Sequence, residues 1–289
     1  AVECNATRNE RLFAAALGGL GRVGVIARAK LRLVSAPTSI KTLHLGFSTA
    51  GALLSAVERL RRDACLHLEG FCWAGHRGVE TRAEGRRPFT RWSYALAVGF
   101  NAASRPAFDV ATLGGTLLAE DEQGALEHAL RYRARFELMH RTGAWAQHHP
   151  WAEYFVPASG AEEALEAMLA SLPPWFGDGH RVMPVTWRHR CSLVSAPRED
   201  FVCMAALPAG VPAEVAAESS EAVGALDRLL LARGAKRYLA GHFGRWSDTD
   251  WRAHYGDLYA EWRAVKEAFD PEGVFGSVLL DEPGGSITR

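Results

Sequence analysis

Three groups of residues in this chain of 289 residues have the types and spacing to do chemistry. The first is a glycine cluster, Gly18, Gly19, Gly21 and Gly24, in the run ALGGLGRVGVIA. Glycine has no Cβ, so such a turn either bends the chain sharply or lets backbone lie directly against a flat ligand. Its order, helix before and strand after, reverses that of a dinucleotide fingerprint and disfavours a phosphate cradle at a helix start. The second group is GAWAQHHPWAEYF, with Trp145, His149, Trp151, Tyr154 and Phe155. It suits either a core segment pinned by Pro150 or the wall of a pocket, because aromatic faces stack on planar molecules. The third runs from Tyr238 and His242 to Trp251, Tyr255, Tyr259 and Trp262. The last four fall at helical spacing and read as packing, which leaves Tyr238 and His242 as its pocket residues. Glu69, in the alternating stretch HLEGF, fits either a buried acid or a solvent-facing carboxylate.

Other chemistries lack their signatures. No pair of histidines has the i,i+4 spacing around a helical glutamate that a zinc hydrolase needs, and no GxSxG elbow is present. A metal site is therefore not expected. The five cysteines, at 4, 65, 72, 191 and 203, form no CxxC and read as reduced, mostly buried thiols. Thirty-three basic and thirty-three acidic residues balance to zero, so the chain lacks the positive surplus with which proteins collect nucleic-acid phosphates. No apolar run is long enough to span a membrane. The start carries neither an initiator Met nor a basic segment followed by an apolar one. With glycine-rich chemistry already present at residue 18, it reads as a chain entered partway through a domain, and localisation stays open.

The elements that must position these residues follow from periodicity. A short helix is expected over 9–17 with Asn9 as its cap, then a strand in which Val23, Val25, Ala27, Ala29, Leu31 and Leu33 alternate with basic residues. Strands are predicted at 40–47, 66–71, 90–100, 152–157, 184–194, 201–207 and 236–241. Helices are predicted at 49–62, 121–141, 213–232 and 250–268, and in the segment after Ser159, where Ser159 and Glu162 have capping-box spacing. Alternation with one wet face and adjacent strand pairs point to an α+β fold: a broad, mostly antiparallel sheet with helices on one side. The other face would then be free to line a pocket.

Four stretches together resemble the cytokinin dehydrogenase family, within the flavin-dependent oxidoreductases of the vanillyl-alcohol oxidase type. They are NERLFAAALGGLGRVGVIARAKLRLVSAP (9–37), HHPWAEYFVP (148–157), KRYLAGHF (236–243) and DWRAHYGDLYAEWRAVKEAFDPEGVF (250–275). The resemblance implies FAD as cofactor and a small planar amine or alcohol as substrate, oxidised by hydride transfer to the flavin. It implies that 1–37 ends the first cofactor-domain segment, that 38–235 is the substrate domain, and that 236–289 returns to the cofactor domain. Gly18, Gly19, Gly21, Gly24, Val25, Ile26 and Tyr238 would approach the flavin. Trp145, His149, Trp151, Tyr154 and His242 would line the substrate pocket. The catalytic base would lie in an N-terminal FAD-binding half, which becomes the implied partner. Where the family carries SPGQ near its end, this chain has GSVLLDEPGG. Alternatives from the same reading are a sugar or alcohol oxidase of the superfamily and a flavin-free small-molecule binding remnant.

Overall fold

The computed structural model describes residues 1–17, 21–61, 65–104, 108–177, 179–184, 197, 200–242 and 246–275. Eight strands form one sheet in the order β4-β1-β3-β2-β6-β7-β5-β8. They are β1 (Ser39–Phe47), β2 (His67–Arg82), β3 (Gly85–Asn101), β4 (Thr116–Gly124), β5 (Ala152–Pro157), β6 (His180–Pro184), β7 (Phe201–Ala206) and β8 (Lys236–Arg237). Each neighbouring pair is antiparallel. The helices are α1 (Glu10–Ala16), α2 (Ala50–Leu60), α3 (Ala125–Ala129), α4 (Arg133–Arg141), α5 (Ala161–Ser171), α6 (Ala216–Leu231), α7 (Asp248–Tyr255) and α8 (Leu258–Phe269).

Alternation fixes which residues the sheet buries. Successive strand side chains point to opposite faces. On one face Leu43, Leu45, Leu96, Val98, Val182, Met204, Tyr154 and Val156 meet α2, α5 and α6 in a single core. The helices present matching stripes: Leu53, Val57 and Leu60 from α2, Leu165, Met168 and Leu169 from α5, Val223, Leu226 and Leu230 from α6. Burying one such leucine is worth about 2 kcal/mol, so these stripes, rather than helix propensity, hold the layer in place. The α+β architecture with its main helix layer on one side is thus as expected. The α3–α4 segment is the exception, for His128 and Tyr132 reach side chains on the opposite face.

Several local expectations differ. The 23–33 stretch forms no strand: residues 24–37 have no ladder, and Val25, Ile26, Leu31 and Leu33 are exposed, because no partner strand lies beside them among the described residues. The helix predicted over 121–141 begins as β4, which pairs with β1 and places Glu120 and Asp121 beside Lys41 and His44. Helix then resumes as two short pieces. Asn9 precedes α1 in the left-handed region and caps nothing; its amide donates instead to the Glu3 carbonyl. Gly160, not Ser159, occupies the N-cap of α5. The 250–268 helix breaks at Gly256 into α7 and α8, and the 236–241 strand shortens to two residues. Most of the 184–194 strand lies outside the described residues.

A second, separate core joins the two ends of the chain. Ala15 and Val23 pack with Leu239, Trp251, Tyr255, Tyr259, Trp262 and Val265. The helically spaced aromatics therefore pack, as expected, with Tyr255 stacked on Trp262 at 5.5 Å and 15°. The buried ammonium of Lys266 ties this core to the glycine turn. It donates to the Arg22 carbonyl at 2.7 Å, to the Phe275 carbonyl at 2.7 Å, and to the Asp270 carboxylate. Among the described residues, no helix is long and apolar enough to cross a membrane.

Candidate functional site on the open sheet face

The face away from α2, α5 and α6 carries a set of buried and half-buried charged groups. One register row crosses six strands on it: Gly46, Ala95, Phe71, Arg181, Ala205 and Glu153. The adjoining row holds His44, Ala97 and Glu69. The small residues here are covered: Ala95 and Ala97 are buried, and the Leu118 side chain lies against Gly46. Glu69 is buried and fully engaged. Its Oε1 accepts from Arg181 Nε at 3.0 Å, and its Oε2 lies 3.0 Å from His67 Nε2 and accepts from the Tyr132 hydroxyl. Arg131 stands 3.8 Å away. Burial pushes this carboxyl up, but the His67 and Tyr132 hydrogen bonds and the Arg181 charge outweigh it and hold the pKa below the ordinary value. Arg181 also lies over the Phe71 ring at 4.4 Å, and His67 packs edge-on to His128.

Glu153 is the second acid of this face. It sits two strands from Arg181 with only the Ala205 methyl between them in the row. Burial raises its pKa, against the opposing charge of Arg237. Beside it, Phe155 packs on Phe201 and on Tyr238, at 5.2 and 5.6 Å between ring centres. Cys203 completes this apolar patch, its thiol pushed up to about 12 by burial. Cys4, Cys65, Cys72 and Cys203 are free thiols, and no group of His, Cys, Asp and Glu among the described residues could hold a metal ion.

The residues singled out from sequence separate into three places. Trp145, His149 and Trp151 form one aromatic series with Phe136, at ring separations of 5.7, 5.8 and 5.1 Å. His242 joins it through backbone, its N–H donating to the Trp151 carbonyl at 2.8 Å. Gly241 permits that approach: its φ is +84°, and a Cβ there would strike the same carbonyl. The His242 ring meets His148, and burial together with that neighbour lowers its pKa. Tyr238 sits with Phe155 on the open face. Tyr154 does not: it points into the helix-packed core, fully buried, and donates to Asp227 of α6 at 2.6 Å. Alternation along β5 sends it away from Glu153 and Phe155.

The glycine turn lies in the second core, remote in sequence from the sheet. Gly21 and Gly24 have φ of +75° and +154°, and nothing stands within 4 Å of where a Cβ would be. Val25 and Ile26 follow exposed at 79% and 60%. The backbone at Gly21 and Gly24 therefore has open space beside it. Gly18 and Gly19 lie outside the described residues. Sequence reasoning missed Arg181, Tyr132, His67 and Glu153, and left Glu69 undecided. The period-two pattern of HLEGFCW and WAEYF carried the signal for the two acids.

A family model described as "Cytokinin dehydrogenase 1, FAD and cytokinin binding" matches residues 125–278. Cytokinin dehydrogenase 5 of Oryza sativa subsp. japonica is 27% identical over 98% of this chain and 60% of its own length. Cytokinin dehydrogenase 1 of Arabidopsis thaliana is 24% identical over 99% of this chain and 56% of its own. An oxidoreductase from the fasciation locus of Rhodococcoides fascians is 28% identical over 93% and 61%. The chain therefore spans about 60% of the length of these relatives. Among solved structures, 6-hydroxy-D-nicotine oxidase from Arthrobacter nicotinovorans superposes with a TM-score of 0.51 at 18% identity, covering 95% of this chain and 61% of that one, which shows a shared fold. With more than half of its residues matched, the chain belongs to the cytokinin dehydrogenase FAD- and cytokinin-binding family.

Proposed function

We propose that this chain is the larger part of an FAD-dependent oxidoreductase that removes hydrogen from a carbon bearing nitrogen or oxygen, in the manner of a cytokinin dehydrogenase. The family match over 125–278 carries this reading, because it spans strands β5 to β8 of the sheet and the α7–α8 core. Gly21 and Gly24 support a flavin here, because open space lies where a Cβ would stand and a flat ring could approach the backbone. Residues 18–26 and Tyr238 would hold it, and when bound it supplies the two-electron acceptor. The sheet face would exclude water and stack the planar substrate on Phe155 and Tyr238, with the Glu69–Arg181 pair as part of its wall. Trp145, His149, Trp151 and His242 would form the side of the pocket.

In this reading 1–37 and 236–289 belong to a cofactor domain whose N-terminal half is a partner segment, and 38–235 is the substrate domain. The joint core of Ala15, Val23 and α7–α8 supports that division. Expression of this chain with the upstream half tests it. A yellow protein with flavin absorbance and turnover of a planar amine or alcohol is expected. A folded full-length protein without flavin overturns the reading and favours a flavin-free binding module.

A further inference from the structure

We propose that Glu153 is an uncommitted anionic subsite on the open sheet face, and that the ligand this face selects carries a positively charged group. The proposal deepens the flavoenzyme reading and rests on it. The two acids of the face differ in what they already bind. Both oxygens of Glu69 are engaged, by Arg181 on one side and by Tyr132 and His67 on the other, with Arg131 close by. That carboxylate is already paired with Arg181 and hydrogen-bonded at both oxygens. Glu153 has neither a hydrogen bond nor an ion pair to its carboxylate among the described residues, although it is half-buried.

The nearby cations are spent elsewhere. Arg237 sits on the opposite face, paired with Asp227 at 3.0 Å; it donates to the backbone carbonyl of Glu153 and acts on its carboxyl through charge alone. Lys236 of β8 donates to the Ala253 carbonyl at 3.1 Å. Arg181 is two strands away, about 10 Å at ordinary strand spacing, and is held by Glu69. In the row between Arg181 and Glu153 lies only the buried Ala205, whose methyl offers neither acid nor cation a partner. Phe155 and Tyr238 flank the acid with aromatic faces, which favour both a planar body and a cation.

A partly desolvated carboxylate without a partner is unfavourable, and a ligand cation that supplies charge and N–H donors relieves it. A neutral alcohol supplies one uncharged donor and gains much less. The face therefore discriminates by charge as well as by shape.

Calorimetric binding of benzylamine, a cation at neutral pH, and of benzyl alcohol, its neutral counterpart, to the full-length protein tests this. Benzylamine is expected to bind more tightly, and E153Q to weaken it about tenfold or more while leaving the alcohol within about twofold. E153D, which keeps the charge, is expected to retain part of the preference and serves if E153Q does not fold. Equal affinities in the unmodified protein, no amine binding, or an equal loss of both ligands in E153Q overturns the proposal. Flavin content, measured on the same samples, separates this outcome from failure of the flavoenzyme reading.

Discussion

The Tyr154 hydroxyl lies 2.6 Å from the Asp227 carboxylate, so β5 is bolted to α6 through the core one residue after Glu153 turns the other way. Arg237 completes this buried group with its Nε 3.0 Å from the same carboxylate oxygen. Tyr154→Phe removes one donor to a buried acid while keeping the ring. A stability loss of about 1–3 kcal/mol is expected in denaturant titration, with ligand affinity unchanged. Loss of affinity without loss of stability would return Tyr154 to the substrate side.

Glu69 makes acid stability a readout of the open face. Its folded pKa lies below the ordinary 4.5, since the His67 and Tyr132 hydrogen bonds and the Arg181 charge outweigh the effect of burial. The stability this contributes is fully present above the unfolded value and is lost as pH falls through the folded one. Glu69→Gln should therefore cost about 1.5–3 kcal/mol at neutral pH. The gap between the two proteins should narrow as acid is added below about pH 4.5. Parallel denaturation curves across that range would show that Glu69 is not ionised in the fold.

At the glycine turn, conformation and ligand approach can be told apart. Gly21 has φ +75° and open space around it, so Gly21→Ala meets no atom and bears only the left-handed backbone cost, about 1–2 kcal/mol. In the full-length protein we expect the flavin-to-protein ratio to fall much further than the melting temperature. A ratio that follows stability alone would reduce the turn to a structural bend.

Lys266→Met should act locally. The ammonium holds Arg22, Asp270 and Phe275, all outside the sheet core. Hydrogen exchange is expected to rise across 10–23 and 258–275 while β1, β3 and β7 stay protected. Uniform loss of protection would mean that the two cores unfold as one.

What the sequence made legible was set by the range of the interaction. Strict alternation in IKTLHLGF and YALAVGF, and the stripe of Leu53, Val57 and Leu60, are local patterns, and the sheet with its helix layer followed from them. Alternation also splits WAEYF into a core half and an open half. Treating the aromatics as one cluster assigned Tyr154 to the pocket and passed over Glu153. β4 escaped because EDEQ is all polar, and its pairing depends on Lys41, His44 and Ser39 of another strand. Arg181 reaches Glu69 across 112 residues of chain, which no spacing rule reports. The 23–33 stretch shows the reverse: a strand pattern needs a neighbour to become a strand.

The stitching of residues 10–23 to 246–275 also has a mechanical meaning. A load drawn between residues 10 and 275 would fall first on the small core around Trp262 and Lys266, because the segments carrying them meet there. The eight-stranded sheet hangs from that clasp as a closed loop. Tension would reach its ladders only after the clasp had opened, so the open face would keep its register under pulling until then.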